Sequence, residues 1–246
     1  VSKYSRVPAY LLVPEGKGPF PAVLLLHDHG AHFSIGKEKM VRPFGVEASV
    51  TANADDWAER CYDKQYVGDY LASHGYVVLA VDALFGGTGR KEGVRYDSQQ
   101  ALAANMLQMG MSWGALIVWD DIRSAEFLAT LPMVSKDRIG TMGFSMGAHR
   151  AWMVSAATDV VKAGAAVCWM NTTDSLMTLT NNQTKAVCLF HDYSRNTELD
   201  GLSSCGIYRL SQTDVVHQWF AGQTFSCKRA LKALSLPCRM YGRVNR

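Results

Sequence analysis

Apolar runs alternate with helical stretches along most of this chain, and this alternation constrains the fold more than any other feature. Strands are predicted at residues 21–29, 76–84, 138–144 and 163–170. Such near-continuous apolar runs suit strands that are buried on both faces. Because helical segments separate the runs, the sequence predicts an α/β fold with a doubly wound, mostly parallel sheet and right-handed crossovers.

Two helical segments stand out between these strands. Residues 56–75 predict one helix that Gly75 ends, and residues 98–131 predict a single long helix that stops before Pro132. The second segment carries apolar residues at roughly helical spacing, which we expect to face the core. These residues are Leu102, Met106, Met109, Trp113, Ile117, Ile122 and Phe127.

The composition narrows the functional classes. The chain has 246 residues, of which 48% are hydrophobic and 19% charged, as in a globular protein. The net charge is only +3 and the basic residues are scattered, so nucleic acid is not an expected partner. The apolar runs are too short to span a bilayer. Six cysteines without paired spacing favour neither a disulfide scaffold nor a zinc ribbon.

The segment Gly143-Phe144-Ser145-Met146-Gly147 fits the pattern G-x-S-x-G, between a predicted strand and a predicted helix. A sharp turn at this junction would push the Ser145 hydroxyl clear of the sheet, as a catalytic nucleophile requires. The helix N-terminus would supply N–H groups for developing negative charge. We therefore predict Ser145 as the nucleophile and the backbone N–H of Met146 as one oxyanion donor.

The segment His27-Asp28-His29-Gly30 follows the first predicted strand, where a second oxyanion donor is expected. We predict the backbone N–H of His29 or of Asp28 for this role. The side chains of His27, Asp28 and His32 are expected at the pocket rim. A glycine-rich stretch at 86–89 is expected to line the entrance of the cleft.

Four segments together resemble the dienelactone-hydrolase-like and acetyl-xylan-esterase-like branch of the α/β-hydrolases. They are residues 27–45, 110–132, 143–152 and 166–185, and the resemblance covers roughly residues 7–185. It implies a Ser-Asp-His carboxylic ester hydrolase that uses no metal or other cofactor and acts on a small-molecule ester. An acetylated carbohydrate is a substrate that only the resemblance suggests. The resemblance does not determine the compartment, which could be cytoplasmic, periplasmic or secreted, or the oligomeric state.

A metal-dependent hydrolase is the alternative that three histidines suggest. His27, His29 and His32 form H-x-H-x-x-H, which resembles the zinc motif H-x-H-x-D-H of metallo-β-lactamase-like hydrolases. Ala31 stands where that motif has Asp. A close cluster of imidazoles can still hold zinc.

The sequence changes character after Lys185. In the family that the chain resembles, the triad Asp lies in a segment like NGxxDxLFP, and no such segment follows. The fallback acid is Asp192, with Asp200 and Asp214 as further candidates, and the fallback base is His217. We divide the chain into a truncated α/β-hydrolase domain, 1–185, whose sheet is incomplete at its C-terminal end, and an aberrant tail, 186–246.

A shifted reading frame accounts for this tail. Degenerate codons for residues 209–227, read one nucleotide later, can encode ACPKPMLFINGSQDKLFP, which contains the missing acid segment. We hypothesise a single-base frameshift near Lys185. The tail should then have little regular structure and bring no histidine to Ser145. The chain itself could be a catalytically inactive remnant or a binding-only relative.

Overall fold

The computed structural model describes residues 6–30, 32–84 and 99–168, and two short strands further on. The strands are β1 Ala9–Leu12, β2 Phe20–Leu26, β3 Val77–Val81, β4 Val134–Phe144, β5 Ala163–Val167, β6 Tyr208–Leu210 and β7 Val215–Val216. The helices are α1 Ala48–Cys61, α2 Val67–Ser73, α3 Gln99–Gln108, α4 Trp113–Thr130 and α5 Met146–Ala157, with one 3₁₀ turn at Lys37–Lys39.

These strands form one mixed sheet in the order β1-β3-β2-β4-β5-β6-β7. The four central strands are parallel to one another, whereas β1, β6 and β7 pair antiparallel. Each strand predicted from an apolar run is present. The predicted α/β fold with a mostly parallel sheet is therefore confirmed.

Helices cover both faces of the sheet, which is what a doubly wound fold requires. Leu25 of β2 belongs to a core that includes Trp57 of α1. Its neighbours Leu24 and Leu26 belong to a second core, which includes Leu128 of α4. Because successive strand residues point to opposite faces, a run that is apolar at every position serves both cores.

The strand bounds differ from the prediction mainly at their C-terminal ends. β2 ends at Leu26, β3 at Val81 and β5 at Val167, each three residues before the predicted end. At these points the chain leaves the sheet and turns into the loops that carry polar side chains. β4 instead begins at Val134, four residues earlier than predicted.

The single helix predicted over 56–75 is wrong. Two helices, α1 and α2, replace it, and Asp63 and Lys64 between them have left-handed backbone angles, with φ of 54° and 62°. Two such residues in succession cannot continue a right-handed helix. The break lets the Tyr62 and Tyr66 hydroxyls donate to Asp28, at 2.5 Å, and to Asp55, at 2.8 Å.

The long helix predicted over 98–131 is also divided in two. The axes of α3 and α4 differ in direction by 85°. Gly110 takes φ +71° at the break, and the Ser112 hydroxyl caps α4 by accepting from the Ala115 N–H at 3.3 Å. The predicted apolar stripe is consequently wrong in part. Trp113 and Ile117 are buried, but Met109 and Phe127 are 64% and 49% exposed.

Among the described helices, none alone has the length and hydropathy of a membrane span. The bent α3–α4 pair meets those two criteria together, on length and composition only.

The tail contributes to the sheet where it is described. Leu210 of β6 pairs with Gly164 of β5, and Val215 of β7 pairs with Leu210. The tail is expected to have little regular structure, and these two strands comprise three and two residues. The other residues after Cys168 lie outside the described part of the chain.

Candidate active site

Ser145 lies between the last residue of β4 and the first residue of α5, as predicted. Its backbone has φ 52° and ψ −119°, a conformation that a non-glycine residue rarely adopts. The Ser145 N–H donates to the Val167 carbonyl at 2.8 Å, and its carbonyl accepts from the Ala148 N–H at 2.8 Å. Strain of this kind is frequent at functional sites, and neighbouring hydrogen bonds hold it in place here.

The two glycines of the motif allow this turn to close. A Cβ on Gly143 would lie 1.9 Å from the Gly147 carbonyl oxygen. A Cβ on Gly147 would lie 2.1 Å from the carbonyl oxygen of Leu26 and 2.8 Å from that of His27. No side chain fits at either position, so both glycines are required sterically. The second contact also shows that α5 begins directly over the end of β2.

The carboxyl ends of three parallel strands meet at this edge of the sheet. Leu26 of β2 pairs with Val81 of β3 on one side and with Gly143 of β4 on the other. The segments that follow these residues therefore leave the sheet side by side. In open α/β sheets, ligands bind at this edge.

His27 is buried, with 2% of its surface exposed, and it joins two of these segments. Its Nδ1 lies 2.8 Å from the Asp28 carbonyl, and its Nε2 accepts from the Ala83 N–H at 3.0 Å. These partners fix a neutral ring with the proton on Nδ1. Burial, with Arg150 and Lys39 nearby, lowers the pKa of His27 well below its usual value.

Asp28 is also buried. Its carboxylate accepts from the Trp57 indole N–H at 3.1 Å and from the Tyr62 hydroxyl at 2.5 Å, and it forms an ion pair with Lys39 at 3.3 Å. The predicted rim position is thus wrong for His27 and Asp28, since both side chains point into the protein and brace the loop. Local sequence does not predict this burial, because the partners come from segments further along the chain.

His29 and His32 are both half-buried. His32 Nε2 lies 2.7 Å from Asn53 Oδ1, and its ring stacks on Trp57 at 4.8 Å. The rim role of His32 stays a prediction. His29 packs edge-on against Phe33, and burial, together with the charge of Lys39, lowers its pKa to about 4. His29 is consequently neutral at pH 7.

The three histidines have separate environments. Protein partners occupy ring nitrogens of His27 and His32: the Asp28 carbonyl and the Ala83 N–H contact His27, and Asn53 contacts His32. Within the described ranges, no group of three His, Cys, Asp or Glu side chains has an arrangement that could hold a metal ion. The geometry therefore does not favour the metal-dependent alternative.

A cluster of buried charges beneath the loop escaped the sequence prediction. Lys37, Glu38 and Lys39 are 6%, 0% and 1% exposed. Lys37 Nζ binds Glu38 at 2.6 Å and Asp82 at 3.0 Å. Lys39 Nζ instead donates to Asp28 and to the His29 carbonyl. A K-E-K run normally indicates a solvated turn. The one signal for a special role was its position within residues 27–45, one of the four segments that carry the family resemblance.

A second buried ion pair fixes the helix that carries the nucleophile turn. The Arg150 guanidinium of α5 binds both carboxylate oxygens of Asp121 of α4, at 2.8 Å and 2.7 Å. Beside it, burial and the Arg150 charge lower the pKa of His149 to about 3. The spacing of these residues in the sequence does not predict the pairing.

Several predicted site residues lie outside the described part of the chain. They are the triad candidates Asp192, Asp200, Asp214 and His217, and the glycine-rich stretch at 86–89.

The nucleophile-type turn at the carboxyl edge of a mostly parallel sheet defines an α/β-hydrolase. Residues 55–194 match the model of the dienelactone hydrolase family, and the chain belongs to this family.

Two relatives place the chain further. It is 30% identical over 166 residues to the Bacillus subtilis protein YtaP, to which a hydrolase activity is provisionally ascribed. That match covers 67% of this chain and 49% of YtaP. A Bacteroides fragilis structure, provisionally assigned as an acetyl xylan esterase, superposes with a TM-score of 0.50 at 21% identity, covering 63% of this chain and 39% of that one. The chain therefore spans half or less of these relatives' lengths, and the structural likeness concerns the fold alone.

Proposed function

We propose that this protein is a serine carboxylic-ester hydrolase that acts through an acyl-enzyme on Ser145. The observation that carries the proposal is the left-handed backbone of Ser145 at the turn between β4 and α5. A strained turn of this type presents a serine hydroxyl above the sheet edge. Family membership is consistent with this chemistry.

The oxyanion of the tetrahedral intermediate would be held by two backbone donors. Met146 is the first residue of α5, and the N–H groups of a first helical turn have no partner within the helix. The N–H of His29, with that of Asp28 as the alternative, would supply the second donor from the loop after β2. The contact of Gly147 with Leu26 supports this assignment, because it brings the two segments together.

Deacylation needs a general base and an acid that orients it. Two described histidines, His27 and His149, are poorly suited to this role. His27 is held by Ala83 and Asp28, and His149 is 7% exposed with a pKa of about 3. We therefore assign the base to the region beyond β5, with His217 and Asp192 as the candidates in this chain. The proposed substrate is a small ester, and acetylated carbohydrate is the class that the family branch suggests.

Hydrolysis of p-nitrophenyl acetate tests the proposal. The chain should hydrolyse this ester above the uncatalysed rate, and Ser145→Ala should abolish this excess, since the nucleophile is lost. Ser155→Ala is the matched control. Ser155 lies on the same helix, but its hydroxyl binds the Ala151 carbonyl at 2.8 Å and is remote from the turn, so activity should remain.

The alternatives give different results in the same assay. An inactive or binding-only protein would show no hydrolysis that depends on Ser145. A metal-dependent hydrolase would keep its activity in the Ser145 variant and lose it with a chelator. Equal rates for the unaltered chain and Ser145→Ala would overturn the serine mechanism.

A further inference from the structure

Lys39 is the most completely buried lysine among the described residues, and its ammonium binds the loop that follows β2. Its side chain is 1% exposed. The ammonium lies 3.1 Å from the Asp28 carbonyl oxygen, 3.0 Å from the His29 carbonyl oxygen and 3.3 Å from Asp28 Oδ1. These three acceptors match the three N–H donors of an ammonium group. The Trp57 ring lies beneath it, 4.7 Å away.

Two consecutive carbonyl groups thus point at one cation. A trans peptide is planar, and its N–H points opposite to its C=O. When Lys39 draws the Asp28 and His29 carbonyls to one side, the N–H groups of His29 and Gly30 are turned to the other. His27 Nδ1, 2.8 Å from the Asp28 carbonyl, reinforces the same orientation.

We propose that Lys39 is a positioning residue that orients the peptide groups of Asp28 and His29 so that an N–H of this loop serves as oxyanion donor for Ser145. The inference rests on the proposed esterase function. Lys39 does not touch the substrate. It acts through the backbone, by holding the carbonyl that faces away from the site.

Lys37 provides a matched control two residues away. It is also buried and also charged, but its ammonium binds the carboxylates of Glu38 and Asp82. Substitution of either lysine by Met removes a buried charge and leaves a side chain of similar shape. The Lys39 substitution removes the hydrogen bonds to the Asp28 and His29 carbonyl groups.

A second variant separates loop positioning from the cost of an unpaired charge. Lys39→Met leaves the Asp28 carboxylate buried without its cation, which can destabilise the whole fold. The double variant Asp28→Asn/Lys39→Met removes both charges and still lacks the bonds to the carbonyls. Asp28→Asn alone keeps Lys39 on both carbonyl groups.

The experiment measures two properties of the full chain and these four variants. The first is amide hydrogen exchange in peptides that cover residues 26–33. The second is kcat and KM for p-nitrophenyl acetate. We expect faster exchange in this segment for both variants that lack Lys39 than for Lys37→Met or Asp28→Asn. In the two variants that lack Lys39, we also expect kcat to fall about ten-fold or more with KM little changed, because an oxyanion donor acts mainly in the transition state.

Each outcome decides the proposal. Exchange and kcat in Lys39→Met that match those of Lys37→Met would overturn it. Loss of the native near-UV circular dichroism in both Lys39 variants would also overturn it, since Lys39 would then stabilise the fold as a whole. If the unaltered chain does not hydrolyse the ester, the proposed function fails, but the exchange result still decides whether Lys39 orients the loop.

Discussion

Gly147 occupies a position where the backbone of one element lies directly against the backbone of another. It is helical, yet a Cβ there would lie 2.1 Å from the Leu26 carbonyl oxygen. A strand end cannot move without disturbing its pairing on both sides. Steric room at this one residue therefore decides whether α5 can begin above the end of β2.

We expect Gly147→Ala to lower the free energy of unfolding by at least about 2 kcal/mol, because overpacking against backbone has no flexible side chain to absorb it. Gly140→Ala in the same strand–helix unit is the comparison. Its Cβ would lie 3.1 Å from the Ala163 carbonyl oxygen, so its loss should be smaller. Urea unfolding followed by circular dichroism measures both. Equal losses would contradict the steric explanation.

His149 makes stability depend on pH. Its pKa in the folded protein is about 3 because of burial and the Arg150 charge, below the unperturbed value of 6.5. The unfolded state therefore binds a proton that the folded state excludes. Above about pH 6.5, His149 does not change the free energy of unfolding with pH. As the pH falls from 6.5 towards 3, His149 lowers the free energy of unfolding.

His149→Gln should consequently weaken the fall in unfolding free energy between pH 6 and pH 4. The slope of the unfolding free energy against pH should differ from that of the unaltered chain by about 1.4 kcal/mol per pH unit at most, the value for one proton. Urea unfolding at several pH values gives the slope. An unchanged slope in His149→Gln would mean that another group binds the proton.

At the scale of elements, the pair of α4 and α5 is locked by a salt bridge in which both side chains are 2% exposed. Two hydrogen bonds join the Arg150 guanidinium to the Asp121 carboxylate. Breaking a buried pair by removing one partner leaves an uncompensated charge. The bridge therefore fixes the helix that begins at the nucleophile turn.

Asp121→Asn should lower the free energy of unfolding by about 3–5 kcal/mol. Glu126→Gln, on the same helix, breaks the ion pair with Arg123, whose side chains are 47% and 38% exposed, and should cost at most about 1 kcal/mol. Thermal or urea unfolding of the two variants gives the comparison. If Asp121→Asn is as mild as the surface variant, the bridge contributes little to the packing of α5.

At the scale of the whole molecule, the C-terminal part decides whether a complete triad exists. β6 and β7 extend the sheet past β5, so part of this tail forms strands that pair with the sheet. Short antiparallel pairing of this kind demands little of the sequence, because backbone groups make the bonds. It does not by itself supply a base for Ser145.

The frameshift hypothesis predicts the coding DNA. The frame one nucleotide later than residues 209–227 should encode ACPKPMLFINGSQDKLFP or a close variant. A protein made from the restored frame should hydrolyse p-nitrophenyl acetate at least about a hundred-fold faster than the present chain, because removal of triad members costs several orders of magnitude. A DNA sequence that encodes an unrelated string in that frame would refute the hypothesis.

Local sequence patterns were sufficient to predict part of the fold. Apolar runs identified the central strands, and Gly143, Ser145 and Gly147 identified the turn at which β4 passes into α5. Both predictions succeeded because the signal lies within a few consecutive residues: a strand buried on both faces must be apolar throughout, and a tight turn must have glycine where a Cβ would clash.

Which polar side chains are buried, and which groups they contact, depends instead on how distant elements pack together. Lys39 meets Asp28 and His29, Tyr62 meets Asp28, and Arg150 meets Asp121 through contacts between separate elements. A charged residue is predicted to be exposed unless its partner is known. Partners that lie this far apart in the sequence produce no local pattern from which the contact could be predicted. The breaks in the two predicted helices follow the same rule, since long-range packing outweighs local helical preference.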